Sequence, residues 1–187
     1  MKVLSKGFAR PAIDAAHVFR SVMNAMARPG TAYEVLDVTP PAGLSAAAAS
    51  VALTLLDRET PLYLAAPYRT AEIENWLTFH TNAPFCAAED AMFALGPWDA
   101  LLPLTQFPVG TPEYPDRSTT LIVDIDTWDG AKVRLSGPGL KDPLCAQLPA
   151  LEPLQLNAAL FPLGCDFIFT CCAEVVCLPR STKLEAA

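Results

Sequence analysis

A chain of 187 residues with a formal charge of −7 is long enough to bury a core without disulfide staples. It is too acidic to bind nucleic acid or anionic membrane surfaces through clustered Lys and Arg. Its charged fraction is 18%, against about 25% in ordinary soluble domains, so part of its 52% apolar content is expected at a surface that meets a partner protein.

Residues 1–11 hold no continuous apolar stretch, because Lys6 and Arg10 interrupt it, so no signal peptide is expected. Residues 12–28 read as a helix. Pro11 suits its first turn, where the missing N–H would be unpaired anyway. Ala15, Phe19, Val22 and Met26 share one face, joined by Val18 and Met23, and Pro29-Gly30 ends the helix. A strand over residues 32–38 follows, then a helix over residues 45–56 capped by Ser45. The uncharged run 38–56 contains Pro40, Pro41 and Gly43 and falls short of the roughly 20 apolar residues a membrane span needs. The cytoplasm is the expected compartment.

Thr60-Pro61 opens a short strand, and Thr70 begins a third helix with Glu72 and Glu74 near its positive end. Ile73, Trp76, Leu77 and His80 share its inward stripe. Residues 86–88 and 91–95 read as further short strands. In residues 103–118, four prolines (Pro103, Pro108, Pro112 and Pro115) rule out regular structure over most of the segment and point to a surface lid, an interaction loop or a mobile segment. Residues 120–126 read as a strand, Asp129-Gly130 as a tight turn and residues 132–136 as the returning arm of a hairpin. Gly137-Pro138-Gly139 is a turn. A helical stretch over residues 151–160 comes next, then a hairpin of residues 166–172 and 174–178. Alternating strands and helices predict an α/β fold, a mixed sheet with helices on its faces, as one domain over residues 1–187.

The usual catalytic signatures are missing. There is no phosphate loop of the form G-x-x-x-x-G-K-[ST], no dinucleotide fingerprint at Gly137-Pro138-Gly139 and no nucleophile elbow. Asp124 and Asp126 lie two apart on a strand, the spacing of a paired-carboxylate site. The alternation with Leu121, Val123 and Ile125 makes them instead the wet face of an antiparallel strand. The lysines are Lys2, Lys6, Lys132, Lys141 and Lys183, and none is placed for a Schiff base with pyridoxal phosphate. Six cysteines without C-x-x-C spacing and two histidines give no zinc pattern, and Cys171 and Cys172 read as buried packing. No catalytic residue, cofactor or metal is assigned. His80 stands where the third helix ends, as a structural cap or as a contact to phosphoryl or ribose oxygens. Arg20, Arg28, Arg134 and Arg180 are the candidate anion ligands, since the guanidinium fork suits phosphonate oxygens. Each can equally be a surface ion-pair partner.

Several short segments recur in a telling order. They are FRSVMNAMARPG (residues 19–30), FHTNAP (79–84), FPLG-x-D-x-x-x-T (161–170) and PRST (179–182). With Thr60-Pro61-Leu62, Pro108-Val109-Gly110-Thr111, Ser118-Thr119-Thr120-Leu121 and Arg134-Leu135, they make the chain resemble the bacterial phosphonate-metabolism family that supplies the H component of the carbon–phosphorus lyase system. That resemblance implies a reduced version of the large domain of pyridoxal-phosphate transferases, without the cofactor. It implies a homodimer that joins the G, I and J subunits of a core complex, which exchanges the adenine of ATP for a phosphonate. It supplies no catalytic residue. Asn82 and Asp166, inside the matching segments, join His80 and the four arginines as candidate anion or partner contacts. Two other readings stay open: a nucleotide- or phosphonate-binding enzyme using His80 and the arginines, and a homodimeric structural or regulatory protein with an unrelated ligand.

Overall fold

A computed structural model describes residues 5–35 and 38–187. Helix α1 (Pro11–Ala27) starts where Pro11 allows it. Its first turn is closed by the Asp14 carboxylate, which accepts from the Arg10 backbone N–H at 2.8 Å and from the Arg10 guanidinium at 3.3 Å. It stops before Gly30, which sits at φ +78°, where an added Cβ would lie 2.6 Å from Leu135 Cδ1; only glycine suits both constraints. Helix α2 (Ala46–Leu55) is capped by Ser45, whose hydroxyl accepts from the Ala48 N–H at 3.0 Å. Thr70 caps α3 (Ala71–Thr81) in the same way through the Ile73 N–H, and Asn82 closes that helix at φ +57° in the left-handed region.

The strands of the main sheet are β1 (Ala32–Glu34), β2 (Leu62–Leu64), β3 (Phe93–Gly96), β4 (Thr120–Asp124), β7 (Asp166–Cys171) and β8 (Glu174–Leu178). Their order is β1-β8-β7-β4-β3-β2. Neighbours among β2, β3, β4 and β7 run parallel, while β8 is antiparallel to both β7 and β1. A second sheet holds β5 (Ala131–Ser136), β6 (Leu144–Leu148) and β9 (Lys183–Ala186), with β5 central. The α/β class with a mixed sheet is as expected.

Alternation along the strands builds two cores. Ile122, Ile168, Val175 and Cys177 face α1, α2 and α3. Leu121, Val123, Phe167, Phe169, Val176 and Leu178 face the small sheet and α4 (Glu152–Ala158), meeting Val133, Leu135, Leu148, Leu154 and Leu184. Phe167 and Phe169 stack at 5.8 Å, both buried. Each such ring contributes about 1.5–3 kcal/mol of burial, so the sheet is held from both sides.

Several expectations are corrected. Asp129-Gly130 does not turn a hairpin, because β4 pairs with the parallel β3 and β7 whereas β5 pairs with β6 and β9. Gly130 is needed for a close approach instead: a Cβ there would come 2.0 Å from the Leu148 carbonyl oxygen. The strand after α1 ends at Glu34, and residues 36–37 of the expected strand lie outside the described residues. Residues 86–88 form no strand; the chain pairs once, Phe85 with Leu62, then takes a 3-10 turn over Ala88–Asp90. Residues 103–118 are no loose lid. Phe107 is buried and meets the edge of Tyr63 at 5.4 Å, and Val109 bridges to Ser118. Cys172 is exposed at φ +53° in the turn between β7 and β8, while Cys171 is buried. Strands β6 and β9 are not among the elements expected from the sequence.

Candidate functional site

In an open α/β sheet, ligands sit outside the carboxyl ends of the parallel strands. Here that edge opens into a pocket of about 490 Å³, built by the segments that follow β3 and β4 and by the end of β6. Asp124, the last residue of β4, is 6% exposed. The expected wet face of an antiparallel strand is therefore overturned for Asp124. Strand β4 is an inner parallel strand covered on both sides, so Ile122 and Asp124 are buried along with Leu121 and Val123, whereas Asp126, two residues beyond the strand's end, is exposed as expected. The Asp124 carboxylate accepts from the Ser45 N–H, the Tyr68 hydroxyl and the Thr170 hydroxyl, each at 2.9 Å. Three donors from α2's cap, the loop after β2 and the neighbouring strand hold one buried charge. Burial, then the Asp124 charge beside it, pushes the Tyr68 hydroxyl above its ordinary range, so Tyr68 stays a proton donor to that carboxylate.

The rest of the pocket carries Asp99, Asp126 and Asp129 beside Trp98, Trp128 and Gln147, and no Lys, Arg or His among its lining residues. A triphosphate or phosphonate entering it would meet only negative charge. Among the described residues no group of three His, Cys, Asp or Glu is arranged to hold a metal ion. Burial pushes the Cys165 thiol up to about 12 and the Cys171 thiol up to about 11, and raises Cys177 further. These thiols stay protonated and are poor nucleophiles.

The candidate contacts are placed apart. His80 Nε2 lies 3.2 Å from the Ser5 carbonyl oxygen, to which the Trp76 indole also donates at 3.0 Å; the imidazole fastens the segment before α1. Asn82 is the left-handed residue that ends α3. Asp166 and Arg180 do come together. The Arg180 backbone N–H and Nε both donate to Asp166 Oδ1, at 2.8 and 3.1 Å, and Nη2 donates to Oδ2. The same guanidinium donates to the Pro115 carbonyl and the Ser118 hydroxyl. Arg180 thus clasps the proline-rich segment to β7. Arg28 donates to the Tyr33 hydroxyl at 3.3 Å on the surface, and Arg20 and Arg134 are exposed on α1 and β5.

Much apolar surface is left uncovered. Ile13, Phe19 and Met23 on α1, Phe79 on α3, and Leu156, Leu160 and Phe161 around the end of α4 are all exposed. An apolar groove of about 640 Å³ runs between Leu102–Val109 and Pro153–Leu160. Among the described residues no helix is long and apolar enough to cross a membrane.

These features define an α/β protein in which Asp124, Asp166, Arg180 and His80 are engaged in its own fold, and in which exposed apolar side chains on α1, on α3 and around α4 are left uncovered. The chain belongs to the family described as Bacterial phosphonate metabolism protein (PhnH), which it matches over residues 6–185. It is 39% identical over 193 aligned positions to a Rhizobium meliloti (strain 1021) protein named Alpha-D-ribose 1-methylphosphonate 5-triphosphate synthase subunit PhnH, covering 98% of this chain and 96% of that protein. It is 28% identical over 174 positions to a Stutzerimonas stutzeri protein named Putative C-P lyase subunit protein HtxG, covering 89% of this chain and 84% of that one.

Proposed function

We propose that this protein is a subunit of the bacterial carbon–phosphorus lyase core complex. In that complex it supports conversion of ATP and an alkylphosphonate to ribose 1-phosphonate 5-triphosphate and adenine, by supplying binding surface rather than reacting groups. The observation that carries this reading is the near-complete alignment, at 39% identity, with a protein named as a subunit of that synthase. The geometry agrees with it. The pocket at the strand ends is lined by carboxylates, and Arg180 and His80 are held by internal partners.

We also infer that residues 1–187 act as one domain, that the free protein is a cytoplasmic homodimer, and that its partners in the complex are the G, I and J subunits. No residue is assigned a catalytic, metal or cofactor role. The reading of a stand-alone enzyme using His80 and the arginines is less favoured, because none of these side chains lines the pocket.

The test is reconstitution. The pure chain with ATP and methylphosphonate is expected to release no adenine. Adding it to a lyase complex purified without it is expected to restore adenine release. Adenine release by the chain alone, abolished by His80→Ala, would establish the enzyme reading instead.

A further inference from the structure

We propose that the outward face of α1 is the docking surface for another protein of the complex, and that the partner presents an apolar hollow rimmed by Asp and Glu. The proposal rests on the subunit reading above and names the contact that reading needs.

The helix carries two apolar faces. Val18, Val22 and Ala25 are buried against α2 and the sheet. Ala12, Ala16, Phe19, Met23 and Ala27 recur at spacings of three and four, and all are exposed. At 3.6 residues per turn they form a second stripe on the solvent side. Phe19 and Met23 are each 52% exposed, and Ile13 beside them 50%. A helix that buries one stripe against its own core has no folding reason for a second stripe with Phe and Met in it.

Charge identifies the occupant. Residues 1–31 contain five Lys or Arg (Lys2, Lys6, Arg10, Arg20 and Arg28) and one acid, Asp14; residues 32–187 contain eight Lys or Arg and nineteen Asp or Glu. The one acid of the first segment is buried and paired with Arg10. A strongly acidic protein therefore presents one apolar helix bordered by Arg20, His17 and Arg28, without an exposed carboxylate on that helix. A second copy docked through this face about a two-fold axis would gather Arg20, Arg28 and His17 of both copies in one contact, with no exposed carboxylate on either helix to pair them. Docked on the acidic remainder of another copy, it would make a head-to-tail contact with no built-in closure. A different protein with carboxylates around an apolar centre satisfies both the stripe and the arginines.

The experiment uses the full chain and the lyase complex purified from cells lacking it, and measures binding of wild type, Phe19→Glu, Met23→Glu and Arg20→Glu/Arg28→Glu. Thermal unfolding and self-association of each variant are recorded alongside. Because these side chains are exposed, unfolding temperature is expected to hold. Each single Glu variant is expected to bind at least about 30-fold more weakly, the loss typical of a central anchor. The double Arg variant is expected to lose most of the salt dependence of wild-type binding. Variants that bind the complex like wild type overturn the proposal. So do variants that keep the complex but lose self-association, since the occupant would then be a second copy. Wild type that does not bind the complex at all overturns the subunit reading together with this one, a result distinct from selective failure of the variants.

Discussion

Replacing Arg180 by Met removes the head of the clasp while keeping an unbranched apolar stem. The wild-type guanidinium makes four side-chain hydrogen bonds, two to Asp166 and one each to the Pro115 carbonyl and the Ser118 hydroxyl. The side chains of Arg180 and Asp166 are only 14% and 22% exposed. Leaving one member of a buried pair costs about 3–5 kcal/mol. Asp166 keeps one bond, from the Arg180 backbone N–H, and some water, so about 2–4 kcal/mol is expected here. Urea unfolding followed by circular dichroism reads the loss. Limited proteolysis is expected to cut residues 108–118 in Arg180→Met and to spare them in wild type. Asp166→Asn combined with Arg180→Met should cost less than the two single losses added, with a coupling of roughly 2 kcal/mol. A cost below about 0.5 kcal/mol, the scale of an exposed pair, with residues 108–118 still protected, would refute the clasp and return Arg180 to the candidate anion ligands.

Native protein should react quickly with a thiol reagent at the exposed Cys145 and Cys172, more slowly at the half-buried Cys86, and at Cys165, Cys171 and Cys177 only after unfolding; fast labelling of Cys165 would contradict its burial. Burial moves the Cys165 thiol from an ordinary 9.0 up to about 12, so the folded state keeps a proton that the unfolded chain gives up above about pH 9. That stability is complete below about pH 9 and is lost as pH rises toward about 12, by at most roughly 1.4 kcal/mol per pH unit for this thiol. The urea midpoint of wild type is expected to fall across that window, more steeply than that of Cys165→Ala. Asn82→Gly should leave stability within a few tenths of a kcal/mol, while Asn82→Val should cost about 1–2 kcal/mol, because a β-branched residue strains the left-handed closing position of α3; equal thermal midpoints would show that the backbone there relaxes freely.

Local chemistry was the readable part. Ser45, Thr70 and Pro11 mark helix starts through the groups they offer or lack, and all three helices begin where those residues place them. The hairpin of β7 and β8 was equally legible from two apolar runs with a short break. What failed depended on partners remote in sequence. Alternation in residues 120–126 suggests a half-exposed strand, but β3 and β7 flank β4, and both its faces are covered. Asp124 therefore reads as a solvated residue when its partners are Ser45, Tyr68 and Thr170. Asp129-Gly130 carries the residue types of a tight turn, yet the glycine serves a close approach to Leu148. Prolines in residues 103–118 exclude regular structure over most of the segment, a single 3-10 turn at Leu104–Gln106 being the exception. They do not exclude order, which comes from Arg180, more than sixty residues away. The second apolar stripe on α1 is present in Phe19 and Met23, but in the sequence it merges with the buried stripe beside it.

Membership in the lyase complex is decided by co-purification. The tagged chain is expressed in cells grown on methylphosphonate as the phosphorus source, and its associated proteins are identified. The other lyase subunits are expected to be recovered in fixed proportion to this chain. Recovery of the chain alone under those conditions, with growth on methylphosphonate unaffected by its deletion, would contradict it.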